Sequence, residues 1–197
     1  MSEVAIIDSG GANLASLQYA LDRLGVQAVV TSDAARIARA ARVLLPGVGA
    51  AADAMRRLRT AGLDRLIPRL TVPLLGICLG MQLLFEHSAE GNTACLGVLQ
   101  GRIERLEPAP GTPVPHMGWN TLELLAADPL LQGIDSGSYV YFVHSYAAGV
   151  GAETTAAVRY RGAHAAVVRR DNFSGVQFHP ERSAAVGACI LRNFLAL

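Results

Sequence analysis

Short apolar runs alternate with amphipathic stretches through the first half of the chain. Val4 to Ile7 is a continuous apolar run of strand length, and the residues after it set Leu14, Leu17, Leu21 and Leu24 on one helical stripe. Gly25 ends that helix, because glycine enters the left-handed conformation of a helix terminus without a Cβ penalty. Val26 to Val30 reads as the next strand and Thr31-Ser32-Asp33 as a helix start. Val43 to Leu45 and Leu74 to Ile77 are the third and fourth strands, and Leu79 to His87 is an amphipathic helix. Strands separated by helices predict a doubly wound α/β fold with a mostly parallel central sheet, whose ligands gather at the carboxyl ends of the strands.

The pattern changes after Gly97. Apolar and β-branched runs follow one another with few helical stretches between them: Val98 to Leu106, Thr121 to Leu124, Tyr139 to His144, Thr154 to Tyr160, Ala165 to Arg169 and Phe173 to Phe178. Antiparallel additions to the sheet are expected here. Ser183 to Leu195 closes the chain as a helix that buries Ile190, Leu191, Phe194 and Leu195. The proline-rich segment from Glu107 to Pro115 is a stiff extended loop delivering His116 to Asn120.

Composition narrows the classes. With 197 residues and 51% hydrophobic content, the chain predicts one domain spanning 1–197. A net charge of +1 gives no footprint for nucleic acid or an anionic membrane. The start, Met1-Ser2-Glu3-Val4, has no signal pattern, and no apolar stretch reaches spanning length, so a cytoplasmic protein is expected. Three widely spaced cysteines, Cys78, Cys95 and Cys189, fit a reducing compartment. All 17 basic residues are arginine, which excludes a lysine Schiff base or a phosphate-binding P-loop. The clusters Arg36, Arg39, Arg42 and Arg56, Arg57, Arg59 read as solvated helix faces. No metal-ligand spacing relates the five histidines, no dinucleotide glycine motif follows a strand, and no cofactor is expected.

Candidate chemistry sits in two segments about a hundred residues apart. In Leu75-Gly76-Ile77-Cys78-Leu79-Gly80-Met81-Gln82 the pattern reads strand, tight elbow, helix, with Cys78 at the elbow. An elbow thrusts its side chain clear of the backbone toward a helix N-terminus, where free N–H groups favour a thiolate. In Gln177-Phe178-His179-Pro180-Glu181, an extended chain running on through Glu181 would project residues two apart the same way, placing Glu181 beside the His179 imidazole. A carboxylate that orients an imidazole, which in turn activates a thiol, is a catalytic triad for attack on a carbonyl. Two readings stand for Pro46-Gly47-Val48-Gly49: a plain strand-to-helix turn, or a loop whose Val48 N–H joins that of Leu79 in stabilising an oxyanion.

These segments, with His116-Met117-Gly118-Trp119-Asn120 and Phe142-Val143-His144-Ser145-Tyr146, resemble the class I glutamine amidotransferases over nearly the whole chain. The fold implied is flavodoxin-like. More narrowly, the chain is similar to the glutaminase subunits of imidazole glycerol phosphate synthases in histidine biosynthesis. The resemblance implies catalytic Cys78, His179 and Glu181, which release ammonia from glutamine, and backbone oxyanion donors at Val48 and Leu79. It also implies a glutamine pocket of Gly49, Gln82, Glu90, Ser145 and Tyr146. Glu90 can be read as the partner of the substrate ammonium or as an exposed loop carboxylate.

Free ammonia is protonated in water and loses its nucleophilicity, so the resemblance further implies a sealed heterodimer with a cyclase subunit of (β/α)8-barrel fold. Its contact would run through Asn13, His116, Met117, Trp119, Asn120 and Arg182. Trp119, the only tryptophan, can be read either as such an anchor or as core. Two departures bear on that contact. Asp8-Ser9-Gly10-Gly11-Ala12-Asn13-Leu14 lacks the aromatic and the bulkier residue usual at its second and fourth positions, and Arg182 replaces the usual lysine. A glutaminase serving another synthase, such as that for pyridoxal phosphate, and an inactive regulatory module of the same fold are the alternatives.

Overall fold

The first half of the chain alternates strand and helix as its hydrophobic pattern predicts. The computed structural model describes residues 3–9 and 14–197. β1 (Val4–Ile7), α1 (Leu14–Asp22), β2 (Ala28–Thr31), α2 (Ala34–Arg39), β3 (Arg42–Gly47), α3 (Ala51–Thr60), α4 (Leu63–Leu66), β4 (Leu74–Cys78) and α5 (Leu79–Gln82) follow in order. β5 (His87–Ser88), β6 (Thr93–Ala94), β7 (Arg102–Arg105), β8 (His116–Leu124), β9 (Tyr139–His144), β10 (Tyr146–Ala148), β11 (Thr154–Tyr160), β12 (Gly162–Arg170), β13 (Phe173–Val176) and α6 (Ala184–Ala196) complete the chain.

Nine strands form one sheet in the order β2-β1-β3-β4-β13-β12-β11-β8-β9. The first five are mutually parallel, and each pair from β13 onward is antiparallel. A smaller sheet, β10-β7-β5-β6, stands beside it. Because side chains alternate along a strand, β1 sends Val4 and Ile6 to one face and Ala5 and Ile7 to the other. The first face is covered by Leu17 and Leu21 of α1 and Ile190, Leu191 and Phe194 of α6. The second is covered by Ile37 of α2 and Met55 and Leu58 of α3. Burial on both faces is why these parallel strands read as unbroken apolar runs.

Three local expectations are corrected. The helix after Cys78 stops at Gln82 instead of running to His87. Its would-be carbonyls at Leu83, Leu84, Phe85 and Glu86 accept hydrogen bonds from the N–H groups of Leu96, Val98, Leu99, Gly97 and Cys95, so the chain unwinds to meet a distant loop. That loop takes up much of the strand expected over Val98 to Leu106, leaving only Arg102–Arg105 extended. His116 to Asn120, expected at the end of a loop, instead begins β8 and pairs with β9.

Candidate active site

Gly47 at the end of β3 stands in register with Cys78 at the end of β4, and Val176 of β13 pairs with Ile77. Three adjacent parallel strands therefore deliver their carboxyl ends to one place. Cys78 takes φ 54° and ψ −112°, a conformation a side-chain-bearing residue rarely adopts, and α5 begins at the next residue. The elbow is held by close packing: a Cβ on Gly80 would overlap the Leu45 carbonyl oxygen, so α5 presses directly on β3. Cys78 is 6% exposed, and its sulfur lies 3.8 Å from both the Val143 carbonyl oxygen and Gln177 Nε2.

Opposite it, His179 Nδ1 donates to Glu181 Oε1 at 2.8 Å. The route differs from the expected one. Pro180–Arg182 forms a 3-10 turn rather than an extended chain, and the turn itself swings the carboxylate under the ring. His179 is fixed from its backbone: its N–H donates to the Tyr141 carbonyl, and its carbonyl accepts from the Ser183 hydroxyl at 2.7 Å, whose oxygen in turn accepts from Tyr141 N–H. His179 Nε2 and Glu181 Oε2 are buried with no hydrogen-bond partner among the described residues, as befits groups facing a ligand site. Burial pushes the His179 pKa down, but the neighbouring Cys78 and the hydrogen-bonded Glu181 carboxylate outweigh it and raise the pKa to about 10. The geometry thus favours an imidazolium beside a sulfur nucleophile.

A cavity of about 440 Å³ opens over this pair. Val48, Gly49, Leu79, Gln82, Glu90, Ser145, Tyr146 and Arg182 line it together with Cys78, His179 and Glu181. Gly49 holds φ +93°, which orients the peptides on either side of the loop and leaves open space where a Cβ would stand. Gln82 is 4% exposed and donates from Nε2 to the Tyr146 carbonyl and to Gln177 Oε1. Glu90 borders the cavity while its Oε2 accepts the Ala51 N–H at the start of α3.

The residues expected at a partner contact divide. Met117 and Trp119 point outward from β8, 67% and 52% exposed, and Trp119 meets Tyr141 edge to face. Trp119 is not core. Arg182 stacks over the Tyr141 ring. His116 points to the other face of β8 and is 3% exposed, so its ring does not share the open surface of Met117 and Trp119. Asn120 turns the same way, its amide bound to His116, to the Arg159 carbonyl and to Thr121 N–H. Asn13 lies outside the described residues. Sequence reasoning assigns no role to Gln177, Ser183 or the His144 ring; the signal available for Gln177 was a polar residue inside the apolar run Val176-Gln177-Phe178.

The Glutamine amidotransferase class-I family matches residues 5–197. Over 197 residues the chain is 56% identical to the imidazole glycerol phosphate synthase subunit HisH of Xylella fastidiosa, spanning 100% of this chain and 98% of that protein. It is 57% identical, with the same coverage, to HisH of Xanthomonas euvesicatoria. Among solved structures, a putative GMP synthase protein from Thermoplasma acidophilum superposes with TM-score 0.76 at 18% identity, covering 100% of this chain and 93% of that one. PurLQS from Thermotoga maritima gives 0.75 at 18%, covering 100% and 99%. At such identities the two structures speak for the fold alone. The full-length matches in sequence carry the rest: this chain belongs to the class I glutamine amidotransferase family.

Proposed function

We propose that the chain is the glutaminase subunit of an imidazole glycerol phosphate synthase, acting in histidine biosynthesis and folded as one amidotransferase domain over its whole length. Glutamine enters the cavity with its side-chain amide over Cys78. The sulfur attacks the amide carbon, and negative charge collects on an oxygen facing the N–H groups of Leu79 and Val48. His179, oriented by Glu181, gives its proton to the departing nitrogen, so the C–N bond breaks and ammonia leaves a thioester on Cys78. Water, deprotonated by His179, then splits the thioester to glutamate and free thiol. Gly49, Gln82, Glu90 and the backbone at Ser145 and Tyr146 hold the amino-acid end of the substrate.

The ammonia passes to a cyclase subunit of (β/α)8-barrel fold, which makes imidazole glycerol phosphate and AICAR. The exposed Met117 and Trp119, with Arg182 beside the cavity mouth, support a contact there. Among the described residues no helix is long and apolar enough to cross a membrane, and we place the enzyme in the cytoplasm.

The observation that carries this reading is Cys78 at a strained elbow facing a His179–Glu181 pair at 2.8 Å. An inactive regulatory module has no use for such strain. Cys78→Ala should abolish synthesis from glutamine and leave synthesis from added ammonium salts intact, because cyclisation happens in the partner. Loss of both activities in the complex would refute the division of labour.

A further inference from the structure

A chain of hydrogen bonds with one possible direction runs from β8 to the cavity. Its far end is fixed by Asn120, whose Oδ1 accepts Thr121 N–H at 2.8 Å and whose Nδ2 donates to the Arg159 carbonyl at 3.0 Å. The second hydrogen of that nitrogen faces His116 Nε2 at 3.2 Å, which must therefore be a lone pair. Its near end is fixed by the Tyr146 carbonyl, which can only accept and lies 2.9 Å from His144 Nδ1. His144 Nδ1 thus carries the proton, and His144 Nε2, as the lone pair of a neutral ring, receives the Nδ1–H of His116 at 3.1 Å. Both rings are neutral. Burial, aided by the nearby His164, lowers His116 to about 4, and burial lowers His144 to about 3 against the opposing bond to Tyr146. Each ring is donor on one side and acceptor on the other, and no alternative tautomer satisfies both ends.

The Tyr146 carbonyl that terminates this chain also receives Gln82 Nε2 at 2.8 Å. Both hydrogens of that nitrogen are spent, on Tyr146 and on Gln177 Oε1, whose own amide nitrogen lies 3.8 Å from the Cys78 sulfur. Among the described residues no donor reaches Gln82 Oε1. It is left as an acceptor at a cavity-lining residue.

We propose that His116 and His144 are positioning residues: their one-way relay fixes the Tyr146 carbonyl and so presents the Gln82 amide oxygen to the N–H donors of a bound glutamine. The role in glutamine binding rests on the glutaminase reading above, whereas the relay itself does not. His116 is well placed for its part, since its ring stacks on Tyr160 at 3.9 Å and on Phe142 at 4.7 Å between centroids, which holds the plane of the ring while the bonds to Asn120 and His144 fix its orientation.

Long-range proton–nitrogen correlation spectra of the 15N-labelled full chain at pH 7 read the tautomers directly. Two neutral rings protonated on Nδ1, the less common form in water, are expected for positions 116 and 144, each assigned by its loss in a single variant. A proton on Nε2, or a charged ring, at either position overturns the relay. Steady-state glutaminase kinetics with the cyclase present supply the second arm. His116→Phe keeps the stack and removes the donor, and should raise KM for glutamine about tenfold, the scale of one buried hydrogen bond, with kcat within about threefold. His116→Asn, whose amide nitrogen replaces Nδ1, should restore KM. A merely structural role would lower the melting temperature and leave KM alone, so an unchanged KM in His116→Phe, or no rescue by Asn, sinks the proposal. If His116→Phe fails to fold, the wild-type spectra still decide. An inactive wild type with the expected tautomers would overturn the glutaminase reading and leave the relay standing.

Discussion

Glu181 touches the ring of His179 and not the thiol, so its contribution is orientation and charge. Glu181→Gln keeps the shape and a hydrogen-bond acceptor while removing the anion that helps raise the His179 pKa. Turnover of glutamine should fall by about two to four orders of magnitude with KM little changed, as for other triad carboxylates. The alkaline limb of the rate profile should also move down from about 10. A normal rate would mean that the triad is misassigned. At this scale the sequence told much, because a cysteine in a glycine-rich elbow and a histidine two residues before a glutamate act within a few neighbouring residues, although 180–182 is a 3-10 turn where an extended chain was expected. Gln177 and His144 were opaque as chemistry. Their partners are set by sheet order, which brings Gln82 and Gln177 to 3.0 Å across 95 residues of sequence.

Among elements, α6 matters to the site through one glycine. A Cβ on Gly187 would overlap the Pro180 carbonyl oxygen and lie 2.7 Å from its carbon, so the helix is laid against the turn that joins His179 to Glu181. Gly187→Ala must push that turn or the helix away. Overpacking of this kind costs about 1 to 3 kcal/mol, and a shift of an ångström in the imidazole is enough to lower kcat about a hundredfold. Thermal melting and glutaminase assays on the variant check both effects; a wild-type rate would show that the turn holds its place without the helix. Elements bounded by their own turn signals, such as β1, β9 and β11, were legible to within a residue. The short α5 was not, because its end is decided by backbone donors at 95–99. Periodicity records what a segment can form alone and carries no trace of a distant strand's claim on its carbonyls.

For the whole molecule, association and pH both act on the folded chain. If β8 docks against the cyclase, Trp119→Ala should weaken the complex by about 2 kcal/mol or more, the scale of a desolvated aromatic anchor. The lone subunit should melt as before, since that ring is 52% exposed. A large melting shift with unchanged affinity would return the ring to a structural role. The histidines set opposite limbs of stability against pH. His179, raised to about 10, keeps a proton in the folded state that the unfolded chain gives up above about 6.5, so its contribution is full below that pH and is lost as pH rises toward 10. His116 and His144, lowered to about 4 and about 3, refuse protons that the unfolded chain takes up below about 6.5, so their cost appears as pH falls. Each unmatched proton changes stability by about 1.4 kcal/mol per pH unit, which predicts a maximum near neutrality falling on both sides. Urea midpoints at pH 5, 6.5 and 9 measure it. His179→Gln should flatten the alkaline limb alone, and His116→Asn should make the acid limb shallower. An alkaline limb that persists unchanged in His179→Gln would show that His179 does not keep its proton beside Glu181 into the alkaline range.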